Sequence, residues 1–301
     1  MRYPARVTER RARAILVCLL AYAVAAAVAV GVAWRLSGSH PIVVVGAADL
    51  AATLVVFAFS FALDNSSLYD PYWSVAPPAI GLYWALAPVA DEVSRARQIV
   101  VLVLVGLWAA RLTWNWLRGW QGLAHEDWRY VDFRTTSGRA YWLVSLLGIH
   151  LFPTVIVFVA CLSLFPALSA GARPFGLLDV LGLGVTAAAI GIEATADEQL
   201  RRFRRAATGA TRTLTTGLWA WSRHPNYFGE TLFWWGLFLF GVAADPAWWW
   251  TVVGPLTVTL LFVFVSIPML DRRMLARRPD YAARMQGVSG FVPFPRRHAG
   301  V

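Results

Sequence analysis

The residues Ser222-Arg223-His224-Pro225-Asn226-Tyr227-Phe228-Gly229-Glu230 set a guanidinium, an imidazole, a carboxamide and a carboxylate directly before an apolar run that starts at Thr231. Pro225 cannot extend a preceding helix but suits the first turn of a new one. Asn226 and Glu230 are four apart and so project from one face of that turn. At the mouth of a membrane helix such groups are costly unless they hold something polar. The spacing points to a ligand bound at a membrane surface.

Other polar groups share this character. Arg111, Asn115 and Arg118 fall on one helical face by the i, i+4, i+7 spacing, with Arg111 about two turns inside an apolar segment. Snorkelling to the interface explains the arginines equally well, but Asn115 has no need of it. Asp197 and Arg201 are spaced for a helix ion pair. The run Arg201, Arg202, Arg204 and Arg205, followed by Arg212 across a Thr/Gly-rich loop, reads in two ways. It is a phosphate clamp, since guanidinium matches phosphate oxygens bidentately, or a basic belt beside the membrane. Glu126 and Asp127 form a loop cluster in which local pairing with Arg129 suffices. Asp70, beside Tyr69 and Tyr72, is either a proton-handling acid or the N-cap of a helix begun by Pro71.

Other chemistry is excluded. The five histidines make no pair at zinc spacing, so no metal site is expected. Cys18 and Cys161 both lie in apolar runs, with no metal-ligand spacing and no disulfide framework. His150 reads as a hydrogen-bonded interior residue.

These groups must be positioned by membrane helices. The 301 residues are 58% hydrophobic and 15% charged, and apolar runs of spanning length recur throughout. We expect an all-α polytopic membrane protein of about eight transmembrane helices, near 14–34, 42–63, 73–90, 98–117, 141–165, 176–193, 228–243 and 248–270. Residues 1–64 then form an N-terminal transmembrane hairpin and 65–301 a catalytic domain. The first run is read as a retained span, being too long for a signal peptide. The net charge of +10 comes from arginines in the loops, which favours anionic lipid and a phosphate-bearing ligand as partners over nucleic acid. With the N-terminus inside, 22 arginines fall on the inner side and 4 on the outer, so both termini are expected to be cytoplasmic. That orientation gathers the polar motifs on one face.

The Ser222–Glu230 string resembles the C-terminal motif of the steroid 5α-reductase-like superfamily, and in particular its bacterial membrane proteins filed as a domain of unknown function. Glu126-Asp-Trp-Arg-Tyr130, Ala196-Asp197-Glu198-Gln199, Arg-Pro-Asp-Tyr281 and Phe291-Val-Pro293-Phe294 add to the resemblance, which covers roughly residues 65–297. It implies a bundle shared with isoprenylcysteine methyltransferases, a bacterial-type inner or plasma membrane location, and NADPH-dependent reduction of an activated C=C bond in a lipophilic, steroid- or isoprenoid-like substrate. Carried over, Asn226 and Glu230 lie near the nicotinamide. Asp197, Arg204 and Arg212 hold the nucleotide, and Tyr281, Asn115 and Arg118 also contact it. Arg111, Arg201, Arg223 and His224 complete the cofactor-binding set. Asp70 falls where these enzymes carry a catalytic Glu. The tyrosine that partners that Glu aligns with Trp108, so Tyr69, Tyr72 or Tyr227 is expected to serve. An S-adenosylmethionine-dependent membrane methyltransferase and a non-enzymatic lipid-binding protein are the alternatives. The arginines at 201–212 favour the 2′-phosphorylated dinucleotide, since the sulfonium cofactor carries no phosphate.

Overall fold

The computed structural model describes residues 5–206 and 213–294, with side chains from residue 11 onward; Arg212 lies outside the described residues. Among these, every regular element is helical apart from one isolated backbone bridge between Ser222 and Ser289. The chain groups into two compact units, Met1–Leu86 with Trp108–Leu162 and Ala87–Leu107 with Ser163–Val301.

The first unit opens with α1 (Ala5–Arg35) and α2 (Pro41–Ala62), which pack along one another. Pro41 starts α2, and His40 Nδ1 accepts a hydrogen bond from Ile42 N at 3.3 Å. A 3-10 turn at Ser66–Tyr69 leads into α3 (Tyr72–Leu86). The long helix α4 (Arg95–Gly119) contributes its Trp108–Gly119 half to this unit. Asp127 then caps α5 (Trp128–Ser137) by accepting from Arg129 N at 2.9 Å. The short α6 (Tyr141–Val144) passes through a π-helical turn at Ser145–Leu151 into α7 (Phe152–Cys161).

The second unit contains the other half of α4, then α8 (Leu177–Ala206) and α9 (Pro225–Ala244). It ends with α10 (Val253–Leu261), α11 (Ile267–Arg277) and α12 (Tyr281–Gly287). Helices α8 and α9 lie close along their length because glycine faces the contact. A Cβ at Gly236 would land on Thr186 Oγ1 and within 2.9 Å of its backbone nitrogen, and one at Gly229 would come 3.0 Å from Glu193. Arg97, fully buried, closes the far end. Its Nε donates to Asp179 Oδ1 at 2.6 Å and its Nη2 to Oδ2 at 2.9 Å, while Nη1 and Nη2 reach the carbonyls of Arg173 and Pro174. Arg97, one of the four arginines counted on the outer side, is buried against this carboxylate.

Among the described residues, seven helical stretches are long and apolar enough to cross a membrane: Arg11–Arg35, Pro41–Ala62, Arg95–Gly119, Trp128–Ala170, Leu177–Ala206, Pro225–Ala244 and Pro246–Arg277. Exposed Leu16, Leu19, Trp34, Leu177 and Phe264 suit contact with lipid rather than water. The segment expected at 73–90 differs from the rest. It forms α3, only 15 residues long with Pro77 and Pro78 inside. At 1.5 Å per residue it spans about 22 Å, short of the roughly 30 Å hydrocarbon core.

Candidate functional site

In the second unit, the Ser222–Glu230 turn is fixed by the segment that follows α11. Arg223 N donates to Ser289 O at 2.8 Å, Ser222 Oγ to Phe291 O at 2.8 Å, and Phe294 N to Trp221 O at 3.2 Å. Arg284 reaches the carbonyls of Trp219 and Ser222. Pro225 takes the first position of α9, as its ring requires.

Three expected cofactor residues converge on one carboxylate, Asp271 of α11. Arg223 Nη2 donates to Asp271 Oδ2 at 2.8 Å, His224 Nε2 lies 2.9 Å from Oδ1, and the Tyr281 hydroxyl donates to the same oxygen. Asp271 and the Arg223 side chain are about nine-tenths buried. Burial, and the Asp271 carboxylate at its hydroxyl, push the Tyr281 phenol well above its ordinary pKa. Sequence reading missed Asp271, which lies 47 residues from His224 with no local pattern linking them. In this arrangement Arg223, His224 and Tyr281 hold the turn to the C-terminal helices.

The other expected cofactor residues of this unit lie on α8 and the first turn of α9. Asn226 Nδ2 donates to Asp197 Oδ1 at 3.4 Å, and Glu230 Oε1 accepts from Trp234 Nε1 at 3.0 Å. Tyr227 stacks on His224 and Phe262, with ring centroids 5.7 and 4.5 Å apart. Gln199 accepts from Leu218 N at 3.0 Å; Gly217 is required there, having φ +62° and no room for a Cβ beside the Gln199 amide. The expected Asp197–Arg201 ion pair gives way to another. Arg201 pairs with Glu198 three residues back, Nε to Oε2 at 2.6 Å, and Arg202 shares Glu198 at 2.8 Å. Arg204, near the end of α8, is within electrostatic reach of Arg278 and of Asp197. Arg278 belongs to the Arg-Pro-Asp-Tyr281 string, so its motif was in view although its charge was given no role.

In the first unit, Asp70 is in helical conformation at the end of the 3-10 turn, unlike the extended backbone usual for an N-cap. Its Oδ1 accepts from the Tyr130 hydroxyl at 2.6 Å. Burial raises the Asp70 pKa to about 6, against the opposing pull of Arg129 and the Tyr130 hydrogen bond. The tyrosines thought to serve Asp70 go elsewhere. Tyr69 OH lies 2.8 Å from Thr154 Oγ1, and Tyr72 OH donates to Asp49 Oδ1 at 2.7 Å. Tyr130 belongs to the Glu126–Tyr130 string, so its motif was in view although its role was not. The rest of that string is structural. Asp127 receives Arg129 Nε at 2.7 Å, as expected of a local pair. Glu126 Oε1 accepts from Ser66 N at 2.8 Å and from Tyr141 OH at 3.1 Å, and Arg134 Nε reaches Oε2 at 3.2 Å.

Arg111, Asn115 and Arg118 lie on the first-unit half of α4, where Arg118 donates to Asn115 Oδ1 and stands 5.7 Å over the Trp114 ring. His150 is buried between Ser145 and Ser60, an interior residue as expected. No group of His, Cys, Asp and Glu suited to a metal ion occurs among the described residues.

Residues 56–286 match the family described as a protein of unknown function (DUF1295). The chain belongs to that family. It is also 28% identical over 262 residues to an uncharacterized protein of Schizosaccharomyces pombe, C594.04c, covering 79% of this chain and 76% of the yeast one. No solved structure matches it.

Proposed function

We propose that the protein is a membrane-embedded reductase of the steroid 5α-reductase-like group, which uses NADPH to saturate an activated C=C bond in a lipophilic substrate. The observation that supports this reading most is the Asn226 Nδ2–Asp197 Oδ1 contact at 3.4 Å, which joins the first turn of α9, with Glu230, to the arginine-rich end of α8 that carries Arg204. Arg204 and Arg278 feel one another's charge, which an anion bound there would offset, and phosphate oxygens suit guanidinium donors. Asp197 and Asn226 supply an acceptor and an amide for a sugar or carboxamide. Arg223, His224 and Tyr281 act through position, holding the turn that carries Asn226. Arg201 neutralises Glu198 beside the site. Arg212 remains a phosphate contact in this proposal.

Bound NADPH supplies a hydride, and the chain must supply the proton. As hydride reaches the β-carbon of an enone, charge grows on the carbonyl oxygen. Within the first unit, the hydrogen-bonded Asp70–Tyr130 pair is the proton-handling group this proposal assigns, with Tyr130 as donor and Asp70 behind it. When Asp70 carries a proton it passes that proton to Tyr130 as the phenol gives up its own, so the phenolate never accumulates. A carboxyl group with pKa about 6 suits this relay.

Membranes containing the protein should oxidise NADPH only when a lipophilic enone such as a 3-keto-4-ene sterol or a polyprenyl enone is added. Arg204→Ala should raise the KM for NADPH by about tenfold or more, the loss expected for a hydrogen bond to a charged group. Oxidation at equal rates with and without enone, or an unchanged KM in Arg204→Ala, would contradict the reading.

A further inference from the structure

Within the first unit, α1, α2 and α3 enclose a cavity of about 230 Å³. Its walls are almost wholly apolar, and Ala25, Ala29, Ala52 and Ala79 give it room where larger side chains would fill it. Besides three tyrosines, Tyr22, Tyr72 and Tyr83, the wall carries one carboxyl group, that of Asp49, in the middle of the apolar helix α2 and 93% buried, since its relative exposure is 7%. Tyr72 OH donates to Asp49 Oδ1 at 2.7 Å and lies 3.0 Å from the Asp49 carbonyl. The other carboxyl oxygen, Oδ2, is buried and has no hydrogen-bond partner among the described residues.

A carboxyl group halfway along a spanning helix is costly, and leaving one of its oxygens unsatisfied costs more. Substitution by an apolar residue would remove both penalties, so Asp49 calls for a partner that the chain itself does not provide. The family match begins at residue 56, so Asp49 and all of α1 lie outside it.

We infer that this cavity is a binding site for a slender lipophilic alcohol, whose hydroxyl donates to Asp49 Oδ2 while its hydrocarbon lies along the alanines of α1. The hydroxyl offers one donor to one open acceptor. An ammonium would bring three donors to a wall whose other polar side chains are Tyr22, Tyr72 and Tyr83, the first two already engaged with Leu68 O and Asp49. A bare hydrocarbon tail would leave Oδ2 as it is. The volume lies below the roughly 300–1,000 Å³ of sites for drug-sized ligands, which suits a single chain over a fused-ring body. This inference is independent of the proposed reductase activity, because neither a cofactor nor a reducible bond enters it.

The test uses the full chain in lipid nanodiscs and two photo-reactive probes, dodecanol with a terminal diazirine and dodecane with the same group. The alcohol should label α1 and α3 peptides saturably, and free dodecanol, but not dodecane, should compete. Asp49→Leu should weaken alcohol binding by about tenfold, the loss of a hydrogen bond to a buried charged group. Ala29→Phe fills the cavity and leaves the Asp49–Tyr72 pair alone; it should abolish labelling with an unchanged thermal transition, which keeps the test valid if Asp49→Leu fails to fold. Equal labelling by the alkane would show that the cavity takes any lipid tail and would overturn the inference. So would unsaturable labelling, or alcohol binding that survives Ala29→Phe.

Discussion

Asp70 and Tyr130 carry the sharpest chemical expectation. The folded state holds the Asp70 pKa at about 6, above the ordinary carboxylate range, chiefly through burial. The neutral form is therefore the one the fold favours. Its contribution to stability is complete below about pH 4 and fades as pH rises through about 6. Turnover that needs protonated Asp70 follows the same limb, falling as pH climbs past about 6. A pH–rate profile on kcat should show that limb in the wild type and lose it in Asp70→Asn, with NADPH affinity unchanged. Tyr130→Phe should lower kcat by about 10²-fold or more at every pH, the usual contribution of a positioned acid. A profile that is flat through pH 6 in the wild type would remove Asp70 from the proton path. The sequence marked Asp70 through its neighbours, but Tyr130 is 60 residues away and only tertiary folding shows that their side chains meet. Tyr72 was assigned by proximity in sequence, and it turns the other way, to Asp49.

The helices were more legible than their partners. Pro225 at the start of α9 and the Asp127–Arg129 pair follow from local rules and were read correctly. Arg201 was assigned to Asp197 by an i, i+4 rule, but Glu198 at i−3 satisfied it equally well and took it. Arg97 and Asp271 became buried ion-pair partners of residues 82 and 48 positions away, a kind of pairing that no periodicity encodes. The α8–α9 contact gives an element-level test. Gly236→Ala places a methyl on Thr186 and should cost about 1–3 kcal/mol by overpacking, read as a lowered thermal transition in detergent. Gly184→Ala, on the same pair of helices with nothing within 4 Å of the new Cβ, should leave the transition in place or raise it slightly. Equal shifts in the two variants would mean that the close approach is unimportant.

For the whole chain, membrane helices and their order were plain from hydropathy, whereas their number turns on α3. If α3 and the residues beside it cross the membrane, eight crossings place 22 arginines inside and 4 outside. If they do not, the crossings after α2 invert and much of that bias is lost. We therefore expect α3 to complete a crossing with locally thinned bilayer or flanking residues making up its short length. Reporter fusions after Ser39 and after Arg139 should then read outside and cytoplasmic, and both reading alike would remove α3 from the crossings. The central claim is that the unit carrying Asp197, Arg204, Asn226 and Glu230 binds a phosphorylated dinucleotide. Equilibrium binding of NADPH, NADH and S-adenosylmethionine to the purified protein tests it directly. The account predicts saturable NADPH binding, weaker NADH binding because the 2′-phosphate is missing, and no binding of S-adenosylmethionine. S-adenosylmethionine binding with none for NADPH would contradict it.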